Sequence, residues 1–205
     1  MIRIFGGAGV CLVLTVILAT VFIPVLKSVK MGQKILDILP RWHKSKEGTP
    51  TMGGLFFLVP ILGIGVVLSF TEKEPLLLVH LAFLLANAAI GFVDDYVKFF
   101  KKQNEGLTPP QKMVLQFAAA TAYVFALKTF GVIDTVLRLP FSENVWELPL
   151  PVYLVLAIIG IVFTVNSVNL TDGIDGLAAS VTAVVMVFMA ALSFKTQNVP
   201  GLAVS

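Results

Sequence analysis

The sequence predicts an all-α, polytopic integral membrane protein, and three observations predict it. The chain of 205 residues is 57% hydrophobic and carries only 13% Asp, Glu, Lys and Arg, where a soluble domain has about a quarter charged. Its mean hydropathy is +0.92. Apolar runs of the length that crosses a bilayer, roughly 20 residues each, recur from end to end. They place spans near Phe5–Leu26, Gly53–Phe70, Leu76–Val93, Met113–Lys128, Val152–Val168 and Ile174–Phe194, within a single transmembrane domain covering residues 1–205.

The first span is longer than the apolar core of a signal peptide and is followed by no clear small-residue cleavage site, so it reads as a retained helix. Cys11, inside it, is the lone cysteine, which excludes disulfides within the chain and Cys-based metal sites. Lys27, Lys30, Lys34, Arg41, Lys44 and Lys46 lie between the first two spans, and Lys98, Lys101, Lys102 and Lys112 follow the third. The links Thr71–Pro75 and Thr129–Pro151 carry only Lys73 and Arg138. Basic segments stay on the cytoplasmic side, so the N-terminus is expected outside, and six spans return the chain to that side. The net charge of +3 reflects this loop bias and does not signal nucleic-acid binding. The link Thr129–Pro151, apolar and Pro-rich, is expected to pack against the outer interface.

Three polar segments then share the cytoplasmic face: 27–52, 94–112 and 166–175. The first ends in Lys46-Glu47-Gly48-Thr49-Pro50-Thr51-Met52-Gly53-Gly54. Pro and Gly make a turn there, and Gly53-Gly54 is expected to let the backbone approach a neighbour or ligand closely. Lys46 and the Thr hydroxyls offer donors for a phosphate or a base, although for the run taken alone a Thr-capped helix start is the better account. The second segment holds the doublet Asp94-Asp95 in Gly91-Phe92-Val93-Asp94-Asp95-Tyr96-Val97-Lys98. Charge at a membrane edge is costly, so paired aspartates there mark a site by default. Adjacent helical residues point about 100° apart, so the two are not expected to aim at one point. Lys98 can pair with either. Gly106-Leu107-Thr108-Pro109-Pro110-Gln111-Lys112 makes a rigid turn into the fourth span, and Lys102 and Lys112 add positive charge near the acids. Acids that hold a cation and lysines that hold phosphate oxygens suit a phosphorylated, metal-chelated substrate. Taken singly, each lysine is explained as well by anchoring to the inner membrane face.

In the third segment Asn166, Asn169, Asp172 and Asp175 recur every three positions. A straight helix turns about 300° per three residues, so bringing all four together needs a break, which Gly173 and Gly176 can supply. Asp172 is also suited to cap the start of the sixth span. Capping does not explain two asparagines inside an apolar stretch, where an unsatisfied amide is expensive.

Residues 46–54, 91–98, 106–112 and 166–178, in this order and on one predicted face, resemble four signature segments of the polyprenyl-phosphate N-acetylhexosamine-1-phosphate transferases. Within that family they are most similar to the phospho-N-acetylmuramoyl-pentapeptide transferase branch, through Gly-Thr-Pro-Thr-Met-Gly-Gly and Asn-Leu-Thr-Asp-Gly-Ile-Asp-Gly-Leu-Ala. The resemblance implies an Mg²⁺-dependent enzyme of the bacterial inner membrane that acts in peptidoglycan synthesis. It would move phospho-MurNAc-pentapeptide from UDP-MurNAc-pentapeptide to undecaprenyl phosphate, giving lipid I and UMP. By motif, Asp94 and Asp95 would be the catalytic pair, with direct attack and Asp94 as base favoured over a covalent intermediate. Asn169, Asp172 and Asp175 would line the nucleotide and metal pocket, with Asp95 and Asp175 on the metal. Lys46 and Thr51 would contact the nucleotide side, and Lys98, Lys102 and Lys112 the phosphates. The bilayer and the two substrates are the expected partners, no nucleic acid is expected, and a homodimer is left open.

The family has about ten spans, a further cytoplasmic aspartate for Mg²⁺ and a late His-rich segment, whereas this sequence has only His43 and His80. The expectation is therefore a C-terminally truncated chain with about six of those spans, which alone is inactive. A sister transferase using UDP-GlcNAc is the alternative within the class, and an inert fragment is another. A transporter is the reading from a different class, since intramembrane acids often serve there. The acids cluster at the inner edge with none in mid-span, which favours an interfacial active site.

Overall fold

The structure, a computed structural model, describes residues 2–28, 52–101, 106–138 and 145–195. Among these residues the order of elements is α1 (Ile2–Ser28), α2 (Leu55–Thr71), α3 (Pro75–Lys101), α4 (Pro109–Thr129), β1 (Val136–Arg138), β2 (Val145–Glu147), α5 (Leu150–Thr171) and α6 (Leu177–Lys195). The protein is an all-α polytopic membrane protein, and each expected span has its helix. Four stretches, Phe5–Leu26, Pro75–Lys101, Leu150–Thr171 and Leu177–Lys195, are long and apolar enough by themselves to cross a bilayer. Helix α2 has 17 residues, at the short end of what spans the hydrocarbon. Helix α4 has 21, but Gln111, Lys112, Gln116, Tyr123 and Lys128 dilute its apolar character.

Large apolar side chains face outward along these helices, from Leu12 on α1 to Phe163, 74% exposed, and Val187, 71% exposed. In water such a surface would aggregate, whereas lipid or neighbouring helices accept it. Buried residues are correspondingly few.

The chain forms two compact units: residues 1–74 with 84–112, and residues 75–83 with 113–205. In the first, α1 and α2 run antiparallel. Arg3 meets Glu72 at 3.5 Å, Gly7 faces Ile64 and Leu68, and Phe22 lies 6.0 Å from Phe56 between ring centroids. A glycine in the seam lets two apolar helices approach, which is how helices associate where no hydrophobic effect drives them. Pro75 opens α3, since a proline at the first helical position loses no bond. The link before it is closed by mutual bonds between Ser69 and Glu74, the Ser69 hydroxyl donating to the Glu74 carbonyl at 2.8 Å and the Glu74 amide to the Ser69 carbonyl at 3.0 Å.

In the second unit, Leu77, Leu81, Ala120, Val124 and Val162 form the buried apolar core. Phe83 stacks on Tyr123 at 4.3 Å, and His80 meets the same ring edge-on at 5.7 Å. The expected outer link contains a short antiparallel hairpin in register Val136↔Glu147, Leu137↔Trp146 and Arg138↔Val145. Three-residue strands are too short to show alternation in sequence.

One detail extends the sequence reading and two correct it. Helix α3 runs two turns past the apolar span, to Lys101, so that Asp94, Asp95 and Lys98 share one helix as their spacing requires. Nothing in Tyr96–Lys101 breaks a helix, and Lys98 and Lys101 in its last turn complement the helix dipole. Asp172 does not cap α6: it is the C-cap residue of α5, its amide donating to Asn169 O at 3.4 Å. The break falls at 172–176, with Gly176 at φ +80°. Finally, no neighbour presses on Gly53 or Gly54 among the described residues, since a Cβ there would meet only Phe56 at 4.0 Å and Phe57 at 3.6 Å. The left-handed residue at this start of α2 is Met52, φ 64°.

Candidate functional site

The site grows out of the two extra turns of α3. Asp94 and Lys98 are four residues apart with the acid nearer the N-terminus, the favourable order for an ion pair, and Lys98 Nζ lies 2.7 Å from Asp94 Oδ2. The same ammonium lies 3.3 Å from Oδ1 of Asp95. Lys98 thus pairs with both aspartates, as its spacing of four and three residues allows, its long stem spanning the angle that separates them. The opposite face of these turns carries Phe92, Tyr96 and Phe100, with Phe92 stacked on Tyr96 at 6.1 Å and Phe100 tilted against Tyr96 at 5.1 Å. A helix end with charge on one face and exposed aromatic rings on the other fits a membrane–water interface.

The chain returns to Asp94 at the start of α4. At Thr108-Pro109-Pro110-Gln111 the Thr108 amide donates to Gln111 Oε1 at 3.0 Å, the side-chain-to-amide bond of a capping box, and two prolines occupy the first turn. This fixes the entry of α4 so that the Leu107 amide donates to Asp94 Oδ1 at 2.9 Å and Lys112 Nζ lies 3.2 Å from the same oxygen. Asp94 is 7% exposed. A carboxylate so enclosed is tolerable only with close partners, and Lys98, Lys112 and the Leu107 amide are those partners. Asp95, with 30% of its side chain exposed, meets only Lys98 among the described residues. The four side chains balance to no net charge, so the cluster as it stands has no surplus of positive charge for a phosphate.

Of the expected site residues, Asp94, Asp95, Lys98 and Lys112 thus come together in the first unit. Lys46, Thr51 and Lys102 lie outside the described residues. Asn169, Asp172 and Asp175 sit in the second unit, Asn169 on the last turn of α5 and the two acids in the turn that leads to α6, all three exposed. No group of three His, Cys, Asp or Glu side chains clusters as a metal site among the described residues.

Asn166 has a structural explanation. Its Nδ2 donates to Gln116 Oε1 and to Val162 O, both at 2.8 Å, so the amide is paid within the unit and ties α5 to α4. Gln116, 5% exposed, was missed from sequence, as were Gly106 and the Leu107 amide. A glutamine inside an apolar helix is a detectable signal, because it needs a partner there. A cavity of about 500 Å³ in this unit is lined by Phe83, Val124, Leu127, Tyr153, Ile161 and Thr164 among others, and none of the expected site residues line it.

Comparison with known proteins supports the same reading. A family profile described as glycosyl transferase family 4 matches residues 77–205. A profile described as phospho-N-acetylmuramoyl-pentapeptide-transferase signature 1 matches residues 46–58. The phospho-N-acetylmuramoyl-pentapeptide-transferase of Staphylococcus saprophyticus subsp. saprophyticus is 38% identical over 156 residues, 74% of this chain and 48% of that protein. Those of Staphylococcus haemolyticus and Staphylococcus aureus strain MW2 are 38% identical over 143 residues, 68% of this chain and 44% of each. The chain spans about half the length of these curated relatives.

Proposed function

The chain belongs to glycosyl transferase family 4, and we propose that the full-length protein makes lipid I. It transfers phospho-MurNAc-pentapeptide from UDP-MurNAc-pentapeptide to undecaprenyl phosphate and releases UMP. It is a multi-pass protein of the bacterial inner membrane, with the N-terminus outside and the site on the cytoplasmic face, where an amphiphilic lipid phosphate and a water-soluble nucleotide can meet. The observation that carries this reading is the Asp94–Asp95–Lys98–Lys112 cluster on a membrane helix that extends two turns beyond its apolar part.

The chemistry follows from charge. A phosphate oxygen of the lipid attacks the β-phosphorus of the UDP-sugar, the P–O bond to the α-phosphate breaks, and UMP leaves with that bridging oxygen. A phosphate monoester has its second pKa at about 6, so the nucleophile is already largely dianionic at neutral pH. The protein must chiefly align the reactants and neutralise charge. Lys98 and Lys112 are already committed to aspartates, so further cations are needed, and Lys46 and Lys102 are proposed to supply part of them. Asp95, the more open carboxylate, fits Mg²⁺, which commonly takes one or two protein carboxylates and completes its shell with water and substrate phosphates. Asp175 is the second proposed carboxylate. When bound, Mg²⁺ would offset the charge that builds on the pyrophosphate oxygens. Asn169 and Asp172 are proposed to bind the nucleotide, with Asp172 near uracil, and Lys46 and Thr51 to contact the nucleotide side.

The test is Asp95→Asn in the full-length protein, read as UMP released from UDP-MurNAc-pentapeptide in the presence of undecaprenyl phosphate. A loss of at least a hundredfold is expected, and undiminished turnover removes Asp95 from the site.

A further inference from the structure

Residues 106–107 lie directly on Asp94, and residue 106 allows this only because it has no side chain. A Cβ there would fall 2.6 Å from the main-chain oxygen of Asp94 and 2.7 Å from its Cγ, and the main-chain oxygen belongs to α3 and cannot swing away. The glycine is not demanded by its own conformation, since Gly131 and Gly176 are the positive-φ glycines among the described residues. It is demanded by close approach. Once seated, the backbone gives Asp94 its Leu107 amide at 2.9 Å, and the first turn of α4 delivers Lys112 to the same oxygen at 3.2 Å.

We infer that Gly106 is a positioning residue of the transfer proposed above, with Asp94 as its anchor. Together they set the start of α4 on α3, so that Lys98 and Lys112 stand at fixed places on Asp94. The inference rests on that reading for its kinetic part only. Both oxygens of Asp94 are engaged, Oδ2 by Lys98 and Oδ1 by Lys112 and the Leu107 amide. One part of its work is to hold these groups in place.

The experiment uses the full-length protein in detergent with Gly106→Ala, Asp94→Ala and Asp94→Asn. Amide hydrogen exchange over 106–112 is read beside kcat and KM. Gly106→Ala and Asp94→Ala are each expected to speed exchange at least tenfold. Gly106→Ala is expected to lower kcat at least tenfold with each KM within threefold, because misplaced cations act on the transition state more than on binding. Asp94→Asn keeps an acceptor for the Leu107 amide, so exchange over 106–112 is expected to stay closer to wild type than in Asp94→Ala. Exchange in Asp94→Asn as fast as in Asp94→Ala overturns the inference. Exchange or kcat within twofold of wild type in Gly106→Ala overturns it too. If Gly106→Ala does not fold, Asp94→Asn decides alone. If the wild type fails to turn over UDP-MurNAc-pentapeptide, the proposed reaction falls, while the exchange arm still decides whether Gly106 seats the turn.

Discussion

Lys112 Nζ stands 3.2 Å from Asp94 Oδ1, so the first turn of α4 is tied by charge to the last turns of α3. The tie crosses a chain reversal and pins the interfacial segment to the end of a membrane helix. Fixing two cations in this way before substrate arrives is preorganisation of the kind the proposed transfer would draw on.

Lys98 serves both aspartates at once. Replacing it with Met would leave two like charges side by side at a membrane edge. UMP release by the full-length protein is expected to fall by about 10²–10³-fold, and Lys98→Arg to recover part of it, since an arginine also reaches both acids.

The Asn166–Gln116 bond is a test of packing rather than chemistry. Gln116→Leu is expected to lower stability by about 1 kcal/mol, the usual scale for an interhelical hydrogen bond in a membrane. Unfolding titrated with a denaturing detergent measures it. Adding Asn166→Leu should cost little more, because the two residues share one interaction.

Gly7 faces Ile64 and Leu68, which a Cβ would meet at 3.2 and 3.3 Å. Leu68 Cδ1 ends a flexible side chain, whereas Ile64 Cγ2 is a branch methyl stiff at χ1, and the helix propensity gained by alanine offsets its strain, so Gly7→Ala should be nearly neutral. Gly7→Leu overpacks the α1–α2 seam and is expected to cost about 1–3 kcal/mol, read in the same titration.

Chelation should stop the proposed transfer and added Mg²⁺ restore it. If Asp95 contributes to the metal, Asp95→Glu should raise the Mg²⁺ concentration for half-maximal UMP release by about tenfold, in the range of lost ligand interactions.

The helices were legible because a span needs a long apolar run, and no other pattern fills twenty positions that way. Helix ends were less so: hydropathy ends at Val93, but the hydrogen-bonded helix runs to Lys101, since polar residues of good helical propensity do not stop it. The pairing of Lys98 with both aspartates was legible in their helical spacing, whereas the approach of Lys112 to Asp94 depends on a turn whose path the sequence does not show. Gly106 and the Leu107 amide were hidden because a backbone donor leaves no mark in sequence and a glycine reads first as a turn. Asp172 was misplaced because its residue type suits an N-cap, whereas α5 continues to Thr171 and leaves it at the C-cap.

The most direct measurement supplies the full-length protein with undecaprenyl phosphate and either UDP-MurNAc-pentapeptide or UDP-GlcNAc, labelled in the sugar. Label recovered in the lipid phase, with one UMP released per lipid formed, is expected from UDP-MurNAc-pentapeptide alone. Transfer from UDP-GlcNAc instead, or transfer from neither with both substrates and Mg²⁺ saturating, would contradict the account.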